Sequence, residues 1–331
     1  MDGGAARVAP LAKAGQGRPV LAPTDPGTIA YPTRLKNPTH IRRIVGYCDM
    51  PKSPWSVPVT TALHADGVKV ADLDTSATPG FRGGKKAGEL LLEQRRTVLS
   101  ELQEKLYANG RSGDPRNILL VLQGMDTAGK GGIVRHVIGS VDPQGVAAAA
   151  FGVPTEQERG HHYLWRIRKQ LPRGGQIGVF DRSHYEDVLV VRVHNLVPPE
   201  VWGKRYDEIN RFEGKLAESG TTVVKVAMFV SPDEQCKRLA QRLDRPDKYW
   251  KFNPGDIDER EFWPAYQQAY QAVLDQTSTE HAPWYVIPAD RKWYSRLAVT
   301  ELLIDALTRL ELDWPKAQFD VEEQRRRLNG C

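Results

Sequence analysis

The stretch Ile118–Leu119–Leu120–Val121–Leu122–Gln123–Gly124–Met125–Asp126–Thr127–Ala128–Gly129–Lys130 decides the fold. The apolar run from Ile118 to Leu122 suits a strand buried on both faces of a parallel sheet. It leads straight into Gly124-x-x-x-x-Gly129-Lys130, ahead of a helix predicted near Gly131–Ser140. That spacing has a mechanical reason. Glycines let the backbone curl until several N–H groups point into one concavity, and the helix that follows adds its positive end. Gly124, Gly129 and Gly131 are therefore expected to cradle phosphate, with Lys130 reaching the outer oxygens. A glycine turn carrying an exposed lysine is the plain alternative, and the flanking strand and helix argue against it.

The loop departs from the usual pattern at its end. Gly131 and Gly132 stand where a Ser or Thr would supply a magnesium-binding hydroxyl. Asp126 is the candidate replacement, because Mg2+ prefers hard carboxylate oxygens. An acid inside a phosphate cradle repels its ligand unless a metal lies between them; otherwise Asp126 is a solvated turn residue.

Further along, the predicted strand Gln176–Phe180 ends in Asp181–Arg182–Ser183–His184–Tyr185–Glu186–Asp187. An acid at the C-terminal edge of a parallel strand lies beside the phosphate loop. Asp181 is expected there, with Arg182 as a bidentate phosphate ligand. If the segment from Ser183 is helical, Asp187 falls one turn on and faces the same site. Asp187 is read as general base or orienter of the accepting oxygen, and with Glu186 and Asp126 it makes up the expected metal set. Asp187→Asn is expected to lower turnover by orders of magnitude. His184 is read as a packed histidine outside the chemistry. A basic segment carries Lys237, Arg238, Arg242, Arg245, Lys248 and Lys251 against Asp244 and Asp247. Arg242, Arg245, Lys248 and Lys251 are read as a lid over the transferred group, the alternative being a solvated helix face.

The rest of the chain supplies the frame. Strands predicted at Ala147–Phe151, Val223–Val230 and Trp284–Pro288 alternate with helices near 155–171, 199–218, 232–243, 263–277 and 293–311, after an amphipathic helix from about residue 83 to Asn109–Gly110. This is an α/β fold with a mostly parallel sheet covered on both faces. Residues 1–78, rich in Pro, Gly, Ala and Thr, read as an irregular extension with disorder over the first thirty or so and an anchor around Trp55. Residues 79–315 form the catalytic domain, with the lid at about 238–262, and 316–331 are a tail. With 40% hydrophobic and 26% charged residues, a fibrous or wholly disordered chain is excluded. The net charge of +5 only mildly favours an anionic partner. Cys48, Cys236 and Cys331 have no metal or disulfide spacing. With no long apolar run and no secretory leader, a cytoplasmic location away from membranes is expected.

Several uncommon strings occur in order, and together they resemble the family-2 polyphosphate kinases. Gly124 to Gly132 is similar to that family's first phosphate-binding motif, and Phe180 to Asp187 to its second. Arg242–Leu243–Asp244–Arg245–Pro246 and Lys248–Tyr249–Trp250–Lys251–Phe252 resemble its lid. Phe151–Gly152–Val153–Pro154–Thr155–Glu156 and Ala282–Pro283–Trp284–Tyr285–Val286–Ile287–Pro288–Ala289 are similar too, and the likeness spans roughly residues 79–311. The resemblance implies a P-loop, thymidylate-kinase-like core with a helical lid. It implies reversible transfer between inorganic polyphosphate and adenine nucleotides, most like the branch acting on both AMP and ADP. It further implies Mg2+ (with Mn2+ as substitute) served by Asp126 and Asp187, phosphate binding by Lys130 and Arg182, contact of the lid cations with the anionic chain, no specific nucleic acid, and a homo-oligomer (dimer or tetramer). The rival readings are an ATP-dependent nucleotide or small-molecule kinase on the same fold and a non-catalytic phosphate-loop nucleotide- or RNA-binding protein.

Overall fold

A computed structural model describes residues 54–329. The expectations for the earlier residues, disorder over the first thirty among them, and for Cys48 and Cys331 lie outside the described residues. In chain order the elements are α1 Val59–Ala62, α2 Lys85–Arg111, β1 Asn117–Gly124, α3 Lys130–His136, β2 Val146–Ala150, α4 Glu156–Arg159, α5 Leu164–Lys169, β3 Ile177–Asp181, α6 Val190–Val193, α7 Pro199–Glu218, β4 Thr221–Phe229, α8 Pro232–Leu243, α9 Gly255–Asp258, α10 Trp263–Thr277, β5 Trp284–Pro288, α11 Lys292–Arg309 and α12 Val321–Leu328. Short 3-10 turns cover His184–Asp187, Pro246–Lys251 and Glu259–Phe262.

The strands form one five-stranded sheet in the order β2-β3-β1-β4-β5, and every pairing is parallel. The continuous apolar run of β1 explains its central place. Ile118, Leu120 and Leu122 pack into one core with α2, α3 and α11, while Leu119 and Val121 pack into a second core with α5, α7 and α10. A strand with one polar face would leave one of these layers without an apolar partner. The chain runs to one side of β1 for β2 and β3, then crosses to the other for β4 and β5. The loops after β1 and β3 therefore meet at the C-terminal edge, where such sheets bind ligands.

Two segments differ from the sequence reading. The helix expected over 155–171 is two pieces, because Gly160 ends α4 after the Thr155/Glu158 capping box that starts it. The tail contains α12, with Asp320 as N-cap, acids in its first turn and arginines in its last, so it satisfies its own ends while burying no residue. Residues 54–78 are built into the body. Val59 and Leu63 are buried in the α2/α11 core, and Trp55 packs edge-on against Phe81 at 5.5 Å. Residues 63–65 also pair antiparallel with the outer edge of β5: Val286 N–H donates to the Leu63 carbonyl at 2.8 Å, and Ala65 N–H to the Trp284 carbonyl at 3.1 Å. Among the described residues no helix is long and apolar enough to cross a membrane.

Candidate active site

The turn after β1 is a true phosphate-type loop. Gly124, Thr127 and Gly129 have φ of 157°, 62° and 109°, so the backbone curls through conformations that side chains resist. A Cβ on Gly124 would lie 2.6 Å from the Met228 carbonyl oxygen of β4. Thr127, β-branched and left-handed, has no such excuse and must be held. Arg238 of α8 holds it. This buried guanidinium, paired with Glu234 at 2.7 Å, donates to the Thr127 carbonyl at 2.9 Å and to the Ala289 and Asp290 carbonyls at 2.7 and 2.9 Å. Arg238 was counted with the lid's basic segment; the structure uses it to brace the loop from behind. Gln235, one turn earlier, donates to the Asp126 carbonyl at 3.2 Å.

The two motifs meet as the topology requires. Asp181 pairs in register with Leu122, two residues before Gly124. Arg182, left-handed at φ 64°, donates from its backbone to the Leu122 carbonyl and from its guanidinium to Asp126 Oδ1 at 3.2 Å. Lys130 folds back on the Gly124 and Met125 carbonyls. Burial pulls its ammonium below the ordinary value, and Asp181 is the largest influence opposing this, with Asp126 and Glu186 also acting on it. Asp126, Lys130, Asp181, Arg182 and Glu186 are thus one electrostatic group.

Asp187 is not part of it. The segment His184–Asp187 is a 3-10 turn, in which successive side chains diverge by about 120°. Glu186 turns to the loop, while Asp187 turns away to Arg205 of α7, whose Nη1 reaches Asp187 Oδ1 at 3.1 Å. The expected shared face belongs to Glu186. With its amide oriented to suit its neighbours, buried Gln123 donates to Glu186 Oε1 at 3.0 Å and accepts from the Ser183 hydroxyl at 3.0 Å. Burial raises both carboxyls above the ordinary value. Arg182 and Lys130 oppose this at Glu186, and Arg205 opposes it at Asp187.

A cleft of about 320 Å³ opens in front of the loop, lined in part by Asp126, Arg182, Glu186, Gln235, Tyr266 and Tyr270. His194, Asp256 and Glu259 extend its wall toward the lid. Carboxylates outnumber cations there, and Asp256 is raised above its ordinary value by burial and then by the charge of Asp126. The lid cations do not line this cleft. Arg242 donates to the Lys251 carbonyl at 2.9 Å and to Asp256 at 3.1 Å, while Arg245 and Lys248 both pair with Asp247 at 2.9 Å. Lys251 lies over the exposed Trp250 ring.

A cation cluster that the sequence reading missed flanks α3. Lys292 and Arg296 of α11 are each pulled below their ordinary values, first by burial and then by neighbouring cations: Arg238 and Lys237 act on Lys292, and Arg96 on Arg296. His136 is lowered by burial, then by Arg296, Arg135 and Arg96. Lys237 and Arg238 of α8 fall in the basic segment, but the rest come from α2, α3 and α11, where no local run of basic residues announces them. Another miss had a signal. Lys225 is a lone charge in the apolar strand Val223–Val230, and such a residue must have a buried partner.

Comparison with known proteins agrees with this geometry. The profile of the polyphosphate kinase 2 family matches residues 83–314. The AMP/ADP-polyphosphate phosphotransferase of Meiothermus ruber is 49% identical over 250 residues, covering 76% of this chain and 92% of that one. The ADP-polyphosphate phosphotransferase of Rhodopseudomonas palustris is 40% identical over 265 residues, 76% of this chain and 90% of that one. The crystal structure of polyphosphate kinase 2 from Arthrobacter aurescens TC1 superposes with a TM-score of 0.80 at 51% identity, covering 83% of this chain and 97% of that one. With its phosphate loop, second acidic motif and parallel sheet in matching order, the chain belongs to the polyphosphate kinase 2 family.

Proposed function

We propose that the protein transfers the terminal phosphate of inorganic polyphosphate to AMP or ADP, reversibly, by in-line displacement. The observation that carries this reading is the division of charge around one phosphate loop. On the cleft side stand Asp126, Glu186, Asp256 and Glu259 with tyrosines, a surface suited to a nucleoside's hydroxyl and amino groups and hostile to a bare polyanion. On the α3 flank stand Lys292, Arg296 and Arg96, suited to a run of phosphates. The reacting phosphates meet between them, at the loop N–H groups, Lys130 and Arg182.

The donor set fits Mg2+, with Mn2+ as substitute. Asp126 and Glu186 offer hard oxygens, and the buried Gln235 Oε1 beside Asp126 has no partner. Among the described residues no group of three or more His, Cys, Asp or Glu forms a site alone, in keeping with an ion that one or two carboxylates share with phosphate oxygens and water. When bound there, Mg2+ neutralises phosphate oxygens of donor and acceptor. The chain's own residues do the rest. Lys130 and Arg182 hold the transferred group where charge develops, and Arg238 keeps the loop amides aimed before substrate arrives, so position and electrostatics supply the rate. Asp187, held by Arg205, stays outside this set. The lid cations close on the anionic chain when Arg242, Arg245 and Lys248 exchange their acidic partners for phosphate. The same reading carries a cytoplasmic homo-oligomer, dimer or tetramer, without nucleic-acid partners.

A donor competition tests it. Polyphosphate with ADP is expected to yield ATP, and polyphosphate with AMP to yield ADP, both abolished by chelation of divalent ions. Product from ATP and AMP in the absence of polyphosphate, with none from polyphosphate, would overturn the donor assignment in favour of an ATP-dependent kinase. Nucleotide binding without turnover on any donor would leave only a binding protein.

A further inference from the structure

Behind the second motif lies a buried charged network that the transfer reaction does not touch. Lys225, in the middle of β4 and fully buried, donates to Glu213 Oε2 of α7 at 2.6 Å, to the Tyr185 hydroxyl at 2.8 Å and to the Thr277 carbonyl at 2.7 Å. Glu213, equally buried, accepts on Oε1 from the Tyr185 hydroxyl at 2.9 Å and from His184 Nε2 at 3.0 Å. The carboxylate so placed assigns the proton of His184 to Nε2, and Nδ1 has no partner. Tyr185 is wedged edge-on against Trp284 at 4.7 Å, and His184 against Phe212 at 5.6 Å.

A buried ion pair is a poor way to stabilise a core, since well-packed apolar residues do as well or better. What this one does is local. Apart from the Thr277 carbonyl, its hydrogen-bond partners are the side chains of two consecutive residues, His184 and Tyr185, inside the turn between Arg182 and Glu186. The turn's own bonds run along the backbone, from Tyr185 N–H to the Ser183 hydroxyl, Glu186 N–H to the Ser183 carbonyl, and Val188 and Leu189 N–H to the Tyr185 carbonyl, and none of them holds a side chain of 184 or 185. Fixing two adjacent side chains inward sets the rotation of a 3-10 turn, and the next residue then has one direction left. That residue is Glu186, which meets Gln123 and the cleft.

We infer that the Lys225–Glu213 pair is a positioning device for Glu186, acting through Tyr185 and His184, and that its contribution is to turnover more than to substrate affinity. The inference rests on the reading of Glu186 proposed above. Polar neighbours that orient a ligating carboxylate are typically worth about 10- to 100-fold in activity.

The test uses polyphosphate and ADP with the full chain. Tyr185→Phe removes one hydroxyl and keeps the ring, and is expected to lower kcat about tenfold with little change in the KM for polyphosphate. The loss should vanish in the Glu186→Gln background, because a residue acting through Glu186 has nothing left to position. Loss in His184→Ala should be partly restored by His184→Gln, whose amide can donate to Glu213. Unchanged kcat in Tyr185→Phe, or losses that multiply fully in the double variant, would overturn the inference. If the wild-type chain transfers no phosphate from polyphosphate, the function has failed and the device is judged by hydrogen exchange. Tyr185→Phe must then speed exchange of the amides at 184–188 and leave β4 protected, and equal protection overturns it.

Discussion

Glu186 sits in the cleft against its own chemistry. Burial raises its pKa, with Arg182 and Lys130 opposing, so the carboxyl ionises less readily in the folded protein than in the unfolded chain. The sign follows: ionised Glu186 destabilises the ligand-free fold, and that penalty shrinks as pH falls below its raised value and is gone below the ordinary 4.5. Glu186→Gln is therefore expected to raise Tm without ligand while lowering turnover roughly 100-fold. Equal or lower Tm would argue that the carboxylate is structural. Asp187→Asn, assayed beside it, should lose less, because Asp187 is spent on Arg205. Residue by residue, the sequence was informative where chemistry demands a type at a spacing. Gly124, Asp126, Lys130 and Arg182 come together as their motifs suggest. It misled at 187, because an α-helix and a 3-10 turn give the same string different faces, and four residues are too few to show which period applies.

At the scale of the element, the loop between β1 and α3 owes its shape to α8. Thr127 at φ 62° persists because Arg238 ties its carbonyl to those of Ala289 and Asp290. Arg238→Leu leaves these carbonyls short of a donor and is expected to cost about 3 kcal/mol, seen as a lower denaturant midpoint, together with weaker phosphate binding. Full stability with normal affinity would show that the loop holds itself. No reading of α8 from composition distinguishes this arginine from Arg242, four residues later; only the fold puts one under the loop and the other in the lid. Element positions were legible for the opposite reason. The apolar runs of β1 and β5 are uninterrupted and bounded by turns, and that of β4 is broken only by Lys225, so burial on both faces leaves little choice.

Over the whole molecule, a net charge of +5 hides a sorted distribution. Removing cations from the α3 flank should affect one substrate only. Lys292→Ala and Arg296→Ala are each expected to raise the KM for polyphosphate about tenfold, with the KM for ADP nearly unchanged, in steady-state assays at fixed salt. A rise in both would mean the cluster serves the loop itself. The buried pair under the second motif adds to the acid sensitivity of the fold. Burial works against Glu213, but Lys225 and His184 outweigh it and hold its carboxyl below the ordinary 4.5. Its stabilisation is therefore complete above that value and lost as pH falls toward the depressed one. In Glu213→Gln the fall of stability with pH below about 4.5 should be shallower in denaturant titrations.

The backbone seam between residues 63–65 and β5 bears on how the chain can be handled. Shortening from the front should turn abruptly harmful once it removes residues 63–65. Past Leu63, the N–H of Val286 is left bare along the outer edge of β5, and the next chain in solution can supply the missing strand. Overtrimmed preparations should therefore fail by sticking to one another before they fail by melting.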